Sequence, residues 1–223
     1  DVDFTLIFPG PRFQGTGYEA SCRKRGLVVD ASRFDAAVSG AAHVLDSADQ
    51  LYDADLYIRY TARIIELMGG TGPGVIAAAR ELYDEWAEHH HFSLYDDVRE
   101  TLEVLVGRGQ RVGLISNSHR CLESFQTHFE LSGLISAAVS SSELGYMKPH
   151  PAIFRAALDK MQVEAPQSVM VGDSLLHDVQ GASRVGMRGV WLARGGVDGE
   201  AEPAVPTITT LTELPALVGV GRD

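Results

Sequence analysis

The sequence predicts an α/β fold: a doubly wound, Rossmann-like parallel sheet core with an inserted α-helical cap subdomain. Two observations indicate it. Between about residues 17 and 92, apolar residues recur at helical spacing, and no segment has the pattern of a buried strand. From Tyr95 onward, short runs rich in β-branched residues alternate with helical segments, which is typical of βαβ units on a parallel sheet.

The first region contains four segments in which apolar residues occur at positions i, i+3 and i+4. We therefore predict helices over residues 18–25, 32–45, 53–68 and 74–89. Turn-forming stretches separate the helices, namely Gly26, residues 46–49 and the glycine-rich run 69–74. These helices would form an insert between the first strand and the rest of the core.

The second region alternates between the two kinds of element. Buried strands are predicted at residues 112–115, 137–140, 168–171 and 189–192. Helices are predicted at residues 97–108, 121–129, 151–160 and 178–185. The segment 207–218 has the pattern of a loop followed by a short strand and a helical turn. Residues 1–11 and 94–223 are therefore expected to form the core, and residues 12–93 the helical cap.

The stretch Asp1–Thr5 looks like the end of a strand whose earlier residues are absent from the sequence. We expect about five or six further apolar residues before Asp1 in the natural protein, which is the length of a usual strand.

Charge and composition narrow the classes of partner. The formal net charge is −11 at pH 7, which argues against a nucleic-acid partner, because the phosphate backbone requires a basic surface. No apolar run approaches the ~20 residues of a membrane helix, so no membrane partner is expected. The two cysteines have no metal-binding or redox spacing, and we interpret them as free thiols in a reducing cytoplasm. A site for an anionic ligand must be locally positive, through a metal, a lysine or backbone N–H groups.

Four short stretches, far apart in the sequence, carry the candidate chemistry. They are Asp1-Val2-Asp3-Phe4-Thr5, Leu114-Ile115-Ser116-Asn117, Gly145-Tyr146-Met147-Lys148-Pro149, and Val171-Gly172-Asp173-Ser174 followed by Asp178. Each lies at the end of a predicted strand or in the loop after one, and ligands of open parallel sheets bind at that edge. Taken singly, Ser116 or Asp178 could equally be a helix cap. The four stretches together indicate a phosphoryl-transfer site.

The two aspartates of the first stretch suit this chemistry. Alternation along a strand places Asp1 and Asp3 on the same side. Two carboxylates so close repel each other unless a cation lies between them or one is protonated. One can then act as the nucleophile while the other handles the proton of the leaving group. Oxygen ligands from Asp1, Asp173 and a backbone carbonyl suit Mg²⁺.

The same stretches resemble the haloacid dehalogenase-like (HAD-like) hydrolases, in the branch with a helical cap after the first strand. The resemblance also covers residues 94–98, 109–117, 148–154, 171–182 and 189–194, and so spans nearly the whole chain. It implies a HAD-like catalytic core, a helical cap that closes over the strand ends, and a phosphoric monoester hydrolase.

The resemblance implies a role for each matching residue. Asp1 is the nucleophile that forms an aspartyl phosphate, and Asp3 is the general acid/base. Ser116 and the backbone of Asn117 hold the transferring phosphoryl group, which Lys148 neutralises while orienting Asp1.

The same resemblance implies Mg²⁺ as the cofactor. Its ligands are Asp1, Asp173 and the backbone carbonyl of Asp3, and Asp178 supports the metal waters or Lys148. An aspartate at position 3 favours a phosphatase, since the dehalogenating members lack one there. The family's usual glycine before the threonine is Phe4 in this chain, and we expect Phe4 to affect cap packing more than chemistry.

Two features outside these stretches have competing interpretations. Arg12 and Phe13 follow the first strand in a Pro/Gly-rich loop, and are either a surface connection or residues of substrate specificity. The run His89-His90-His91 is interpreted as a solvated hinge, because three adjacent histidines cannot all converge on one ion.

The sequence thus predicts a magnesium-dependent phosphatase whose partner is a small-molecule phosphate ester, acting as a monomer or homodimer. A phosphomutase of the same superfamily and a catalytically silent binding protein on this fold remain as alternatives. Sugar phosphates, phosphoglycolate-like acids and nucleotides all stay open as substrates.

Overall fold

The computed structural model describes residues 1–45, 50–196 and 205–218. The chain folds as two units. One unit, called here the core unit, contains Asp1–Phe8 and Leu94–Asp223, and the other, called the helical unit, contains Pro9–Ser93. The predicted turn at residues 46–49 lies outside the described residues.

The helical unit consists of four α-helices and short 3₁₀ turns in its described part. The helices are α1 (Gly15–Arg23), α2 (Phe34–Ala41), α3 (Ala54–Leu67) and α4 (Gly74–Glu85). The 3₁₀ turns are Pro11–Phe13, Ala31–Arg33, Ala42–Leu45 and His89–His91. Helix α3 begins where the side chain of Asp53 accepts a hydrogen bond from the amide of Asp55. The helix predicted over residues 32–45 is wrong in detail. Only Phe34–Ala41 is α-helical, and 3₁₀ turns lie on either side of it.

Apolar faces at helical spacing hold this unit together. Helix α3 buries residues such as Leu56, Ile64 and Ile65, and helix α4 buries Val75 and Leu82. These are the positions that the i, i+3, i+4 pattern predicts as the inner face of each helix.

The structure contains seven strands among its described residues. They are β1 (Ile7–Pro9), β2 (Phe92–Leu94), β3 (Gly113–Ser116), β4 (Ala137–Ser140), β5 (Val169–Gly172), β6 (Arg188–Leu192) and β7 (Thr207–Ile208). Strands β1 and β2 form a two-stranded sheet. The prediction that no strand occurs between residues 17 and 92 misses the start of β2, whose three residues are too few to show a period.

The core unit has the alternation of strands and helices that the sequence predicts. Strand β3 pairs in parallel with β4, and β5, β6 and β7 form a second parallel sheet in that order. The helices are α5 (Val98–Gly107), α6 (Leu122–His128), α7 (Ser141–Leu144), α8 (Pro151–Met161), α9 (Gly181–Ser183) and α10 (Leu214–Val218). The carboxyl ends of β3 and β5 carry the candidate residues, as the α/β fold class requires.

Helix α8 anchors the middle of the core. Ile153 and Phe154 are fully buried and pack with Ile115 of β3, Val139 of β4 and Met170 of β5. This packing fixes the strands from which the candidate site extends.

A cavity of about 370 Å³ lies inside the core unit. Apolar side chains of β3, β5, α5 and α8 line it, together with Asp1. The expectation of a strand before Asp1 stays a prediction.

No helix among the described residues has both the length and the apolar character to span a membrane.

Candidate active site

Residues 4–6 form a tight turn directly after Asp3, and Asp1 and Val2 lie in no strand of the structure, which corrects the prediction of a strand with alternating side chains. The amide of Leu6 donates to the carbonyl of Val2 at 2.8 Å, and Asp3 makes a single bridge to Ile7. Phe4 has a φ of 61°, in the left-handed region that glycine adopts most easily. This backbone conformation explains why the family that the sequence resembles usually has a glycine where this chain has Phe4.

The carboxylate of Asp1 is held by two donors. Lys148 Nζ lies 2.5 Å from Oδ1, and the hydroxyl of Thr5 donates to Oδ2 at 2.7 Å. Only 7% of the Asp1 side chain is exposed. The ammonium of Lys148 therefore fixes one oxygen of Asp1, and the hydroxyl of Thr5 fixes the other.

Lys148 links two carboxylates. Its Nζ also donates to Asp178 Oδ1 at 2.7 Å, and its side chain is 4% exposed. The backbone of Lys148 is fixed by Asn117, whose amide nitrogen donates to the Lys148 carbonyl at 3.0 Å and whose amide oxygen accepts from the Lys148 N–H at 2.7 Å. The side chain of Asn117 therefore holds the lysine loop. Because the ammonium of Lys148 is almost completely buried, it requires both carboxylates as partners.

Asp173 and Asp178 follow strand β5. The second oxygen of Asp178 accepts from the amide of Ser174 at 3.1 Å, and the residue is 1% exposed. The chain reaches Asp178 through a wide π-helical turn at Leu175–Gln180, so the helix predicted at 178–185 begins earlier than expected. Strand β5 ends in Gly172, and a Cβ there would lie 2.2 Å from Cγ of Asp178. Only glycine leaves room for that carboxylate.

Asp1, Asp173 and Asp178 bring three carboxylates together. One oxygen from each lies within 4.8 Å of the others. The pKa of Asp173 is raised to about 6, although the residue is exposed, because the surrounding protein partly desolvates its carboxylate and Asp178 adds negative charge. Three carboxylate oxygens facing one space are the donor set that Mg²⁺ prefers, so these residues fit the metal. The side chain of Asp3 is not part of this group, and its contribution through the backbone carbonyl stays a prediction.

Ser116 and Asp3 meet at the end of β3. The hydroxyl of Ser116 lies 3.3 Å from Asp3 Oδ2 and 2.9 Å from the hydroxyl of Ser118. Ser116 is fully buried. The structure thus brings the second aspartate to the strand end that sequence analysis assigns to phosphoryl binding.

The sequence analysis did not identify two arginines that contact Asp3 and Thr5. Arg120 donates from one nitrogen to both oxygens of Asp3, at 2.9 and 3.1 Å. Arg194 donates to the carbonyl of Thr5 at 2.7 Å and forms two hydrogen bonds to Asp97, both of 2.9 Å. An arginine in a loop is normally exposed, so the position of Arg120 gave no signal, and the resemblance over residues 189–194 assigned no role to Arg194.

Arg12 and Phe13 contact other residues of the helical unit. The guanidinium of Arg12 pairs with Glu81 and Glu85 and donates to the hydroxyl of Ser21 at 2.7 Å. Phe13 is 3% exposed and packs against Trp86, His91 and Phe92. These contacts give both residues a packing role, and their part in substrate specificity stays a prediction.

The three adjacent histidines do not form a metal group. They lie in the 3₁₀ turn His89–His91, where His91 packs against Phe13 at 5.5 Å. Among the described residues, the groups of three or more potential metal ligands reduce to Asp1, Asp173 and Asp178.

Comparison with known proteins agrees with this arrangement. The profile of the haloacid dehalogenase-like hydrolases matches residues 53–192. The chain belongs to this family. It is therefore a hydrolase with the Rossmann-like core and helical cap of that fold, in agreement with the fold class predicted from the sequence.

Individual relatives span much of the chain. Haloacid dehalogenase-like hydrolase domain-containing protein 3 of Xenopus laevis is 27% identical over 181 residues, covering 78% of this chain and 74% of that protein. Glyceraldehyde 3-phosphate phosphatase of Pyrococcus furiosus is 33% identical over 124 residues, covering 55% of this chain and 52% of that protein. The crystal structure of a HAD phosphatase from Thermococcus onnurineus superposes with a TM-score of 0.68 at 25% identity, covering 100% of this chain and 97% of that one.

Proposed function

We propose that this protein is a magnesium-dependent phosphatase that hydrolyses a small phosphorylated metabolite through an aspartyl phosphate on Asp1. The observation that carries the proposal is the position of Lys148, which contacts Asp1 at 2.5 Å and Asp178 at 2.7 Å beside Asp173. A buried lysine among three carboxylates holds a nucleophile and leaves excess negative charge for a metal cation.

The first step transfers the phosphoryl group to Asp1. A carboxylate oxygen of Asp1 attacks phosphorus, the ester P–O bond breaks, and the leaving oxygen takes a proton from Asp3. Lys148 and the hydroxyl of Ser116 would stabilise charge on the transferring group. Thr5 and Lys148 hold the Asp1 carboxylate in one orientation, which lowers the entropic cost of the attack.

The second step hydrolyses the aspartyl phosphate. Asp3, now a carboxylate, accepts a proton from water as the water attacks phosphorus. The bond between phosphorus and the Asp1 oxygen breaks, which releases phosphate and restores both carboxylates to their starting state.

Asp1 and Asp173 would hold the metal, with Asp178 beside them and the Asp3 carbonyl as the fourth candidate. When bound, Mg²⁺ would supply positive charge that lets an anionic nucleophile approach an anionic phosphate. The match to phosphatases among the relatives supports this activity, and the donor set supports the metal.

Two further parts of the proposal, the cellular compartment and the identity of the substrate, rest on less specific support. The two free cysteines, Cys22 and Cys121, are compatible with a reducing cytoplasm. The named relatives act on different phosphate esters, so a metabolite panel has to identify the substrate.

The test is phosphate release from para-nitrophenyl phosphate with and without Mg²⁺, for the wild type and Asp1→Asn. We expect activity that requires both the metal and Asp1. After acid quench, the mass of the wild type should increase by one phosphoryl group, whereas that of Asp1→Asn should not. Asp35→Asn is a matched control, because Asp35 lies in helix α2 of the helical unit, outside the carboxylate group.

Activity retained in Asp1→Asn would show that another residue is the nucleophile. No activity with any phosphate ester in a broad panel would reject the phosphatase itself.

A further inference from the structure

The side chain of Arg120 is fully buried, although arginine carries a permanent charge. It lies in the loop between β3 (Gly113–Ser116) and α6 (Leu122–His128). Burying a guanidinium is costly unless charged and hydrogen-bonding partners compensate for the lost water. The loop therefore has a reason to contain this residue beyond connecting a strand to a helix.

The charged partner of Arg120 is Asp3. One guanidinium nitrogen donates to both carboxylate oxygens, at 2.9 and 3.1 Å, and the Asp3 side chain is 17% exposed. The hydroxyl of Ser116 approaches the same carboxylate at 3.3 Å. The last residue of β3 and an arginine of the following loop thus fix the orientation of Asp3, and of these two contacts the one from Arg120 is charged.

We propose that Arg120 is a positioning residue for the acid/base step, acting by holding the carboxylate of Asp3 in the geometry for proton transfer. The proposal rests on the proposed phosphatase function, in which Asp3 protonates the leaving group. Proton transfer requires the donor to lie within hydrogen-bond reach of the leaving oxygen, and the reach of Asp3 is set by the side chains that fix it.

This role has a consequence that a purely structural role lacks. A good leaving group departs without a proton, whereas a basic one needs the proton from Asp3. Loss of Arg120 should therefore slow the hydrolysis of esters with basic leaving groups more than that of esters with acidic ones. General destabilisation of the fold would slow both by the same factor.

The experiment compares phenyl phosphate with para-nitrophenyl phosphate, which have similar shapes and leaving groups of different basicity. The measured quantity is kcat/KM, because it reports the steps up to release of the phenol and is insensitive to later hydrolysis of the aspartyl phosphate. The variants are Arg120→Met, which has no charge, Arg120→Lys, which keeps it, and Asp3→Asn. Thermal unfolding of each variant checks its fold.

For Arg120→Met we expect kcat/KM to fall by about 10- to 100-fold with phenyl phosphate and by less than about 3-fold with para-nitrophenyl phosphate, within the range of general acid catalysis. Asp3→Asn should show the same dependence on the leaving group, and Arg120→Lys a weaker one. The double variant Asp3→Asn/Arg120→Met should be no more sensitive to the leaving group than Asp3→Asn, because both substitutions affect one step.

Equal losses with both esters in Arg120→Met would overturn the proposal, as would a further leaving-group effect in the double variant. If Arg120→Met does not fold, the two esters are compared in Arg120→Lys, where the expected leaving-group dependence is weaker and equal losses with both esters would again overturn the proposal. Failure of the wild type to hydrolyse either ester or any member of a broader panel would instead reject the proposed function, so the two failures are distinguishable.

Discussion

The contact between Gly172 and Asp178 makes a sharp prediction, because Gly172→Ala adds one methyl group at the end of β5. An ideal Cβ at this position would lie 2.2 Å from both Cγ and Oδ2 of Asp178. Ordinary van der Waals contact begins at 3.4 Å, so the carboxylate must move by about 1.2 Å.

A shift of this size disrupts the bonds of Asp178. Its distance to Lys148 Nζ, now 2.7 Å, would increase to at most about 3.9 Å, which is beyond a hydrogen bond. Overpacking of a buried site costs about 1–3 kcal/mol of unfolding free energy. A displacement of about 1 Å at a catalytic group can reduce the rate by about 100-fold. We expect both effects in Gly172→Ala, since Lys148, which would lose this partner, also holds Asp1.

The assay combines urea unfolding with the Mg²⁺-dependent phosphatase rate. Gly107→Ala is the matched control, because a Cβ at Gly107, the last residue of α5, meets no atom within 4 Å. Alanine there should be neutral or stabilise by up to about 1 kcal/mol. The reasoning is refuted if Gly172→Ala keeps its rate and its unfolding free energy lies within about 0.5 kcal/mol of the wild type, which is the scale of a surface substitution. The Asp178 carboxylate would then not be packed against this backbone.

Three further predictions concern stability. Phe4→Gly should raise the unfolding free energy by about 1 kcal/mol because Phe4 has a φ of 61°, whereas Phe4→Ala should not; calorimetry compares them. Burial alone would raise the pKa of Glu81, but hydrogen bonds from Lys24 and Arg25 lower it to about 2 from 4.5, so its stabilising contribution is full above pH 4.5 and is lost as pH falls toward 2. The stability difference between wild type and Glu81→Gln should therefore shrink over that window, and a constant difference in acid unfolding would contradict this. Because the pKa of Asp173 is raised by desolvation and by Asp178, Asp173→Asn should stabilise the metal-free protein at pH 7 and should abolish the rise in Tm that Mg²⁺ causes in the wild type.

The sequence predicted the core elements well because their patterns are local. Strand β4 has the predicted bounds, and β3 and β5 are displaced by one residue toward the carboxyl end. Hydrogen-bonded partners set these ends, as in the pairing of Gly113 with Ala137, and a single strand does not reveal its partner.

The candidate site could be predicted to the extent that its residues lie at strand ends. Lys148 contacts both Asp1 and Asp178, although the three residues are far apart in the sequence. The burial of Arg120 could not be predicted, because it depends on pairing with Asp3 across 117 positions. The π-helical turn that contains Asp178 also has no periodic signal in six residues.

The balance of charge at the candidate site argues for the metal independently of any relative. Asp1, Asp173 and Asp178 contribute three carboxylates, and Lys148 contributes the ammonium that contacts two of them. With a raised pKa of about 6, Asp173 is still mostly ionised at pH 7, so the group keeps an excess of negative charge. A phosphate dianion would be repelled by this excess and by the net charge of −11 over the whole chain. A divalent cation among the carboxylates reverses the local sign, and we therefore expect substrate affinity, as well as the rate, to depend on Mg²⁺.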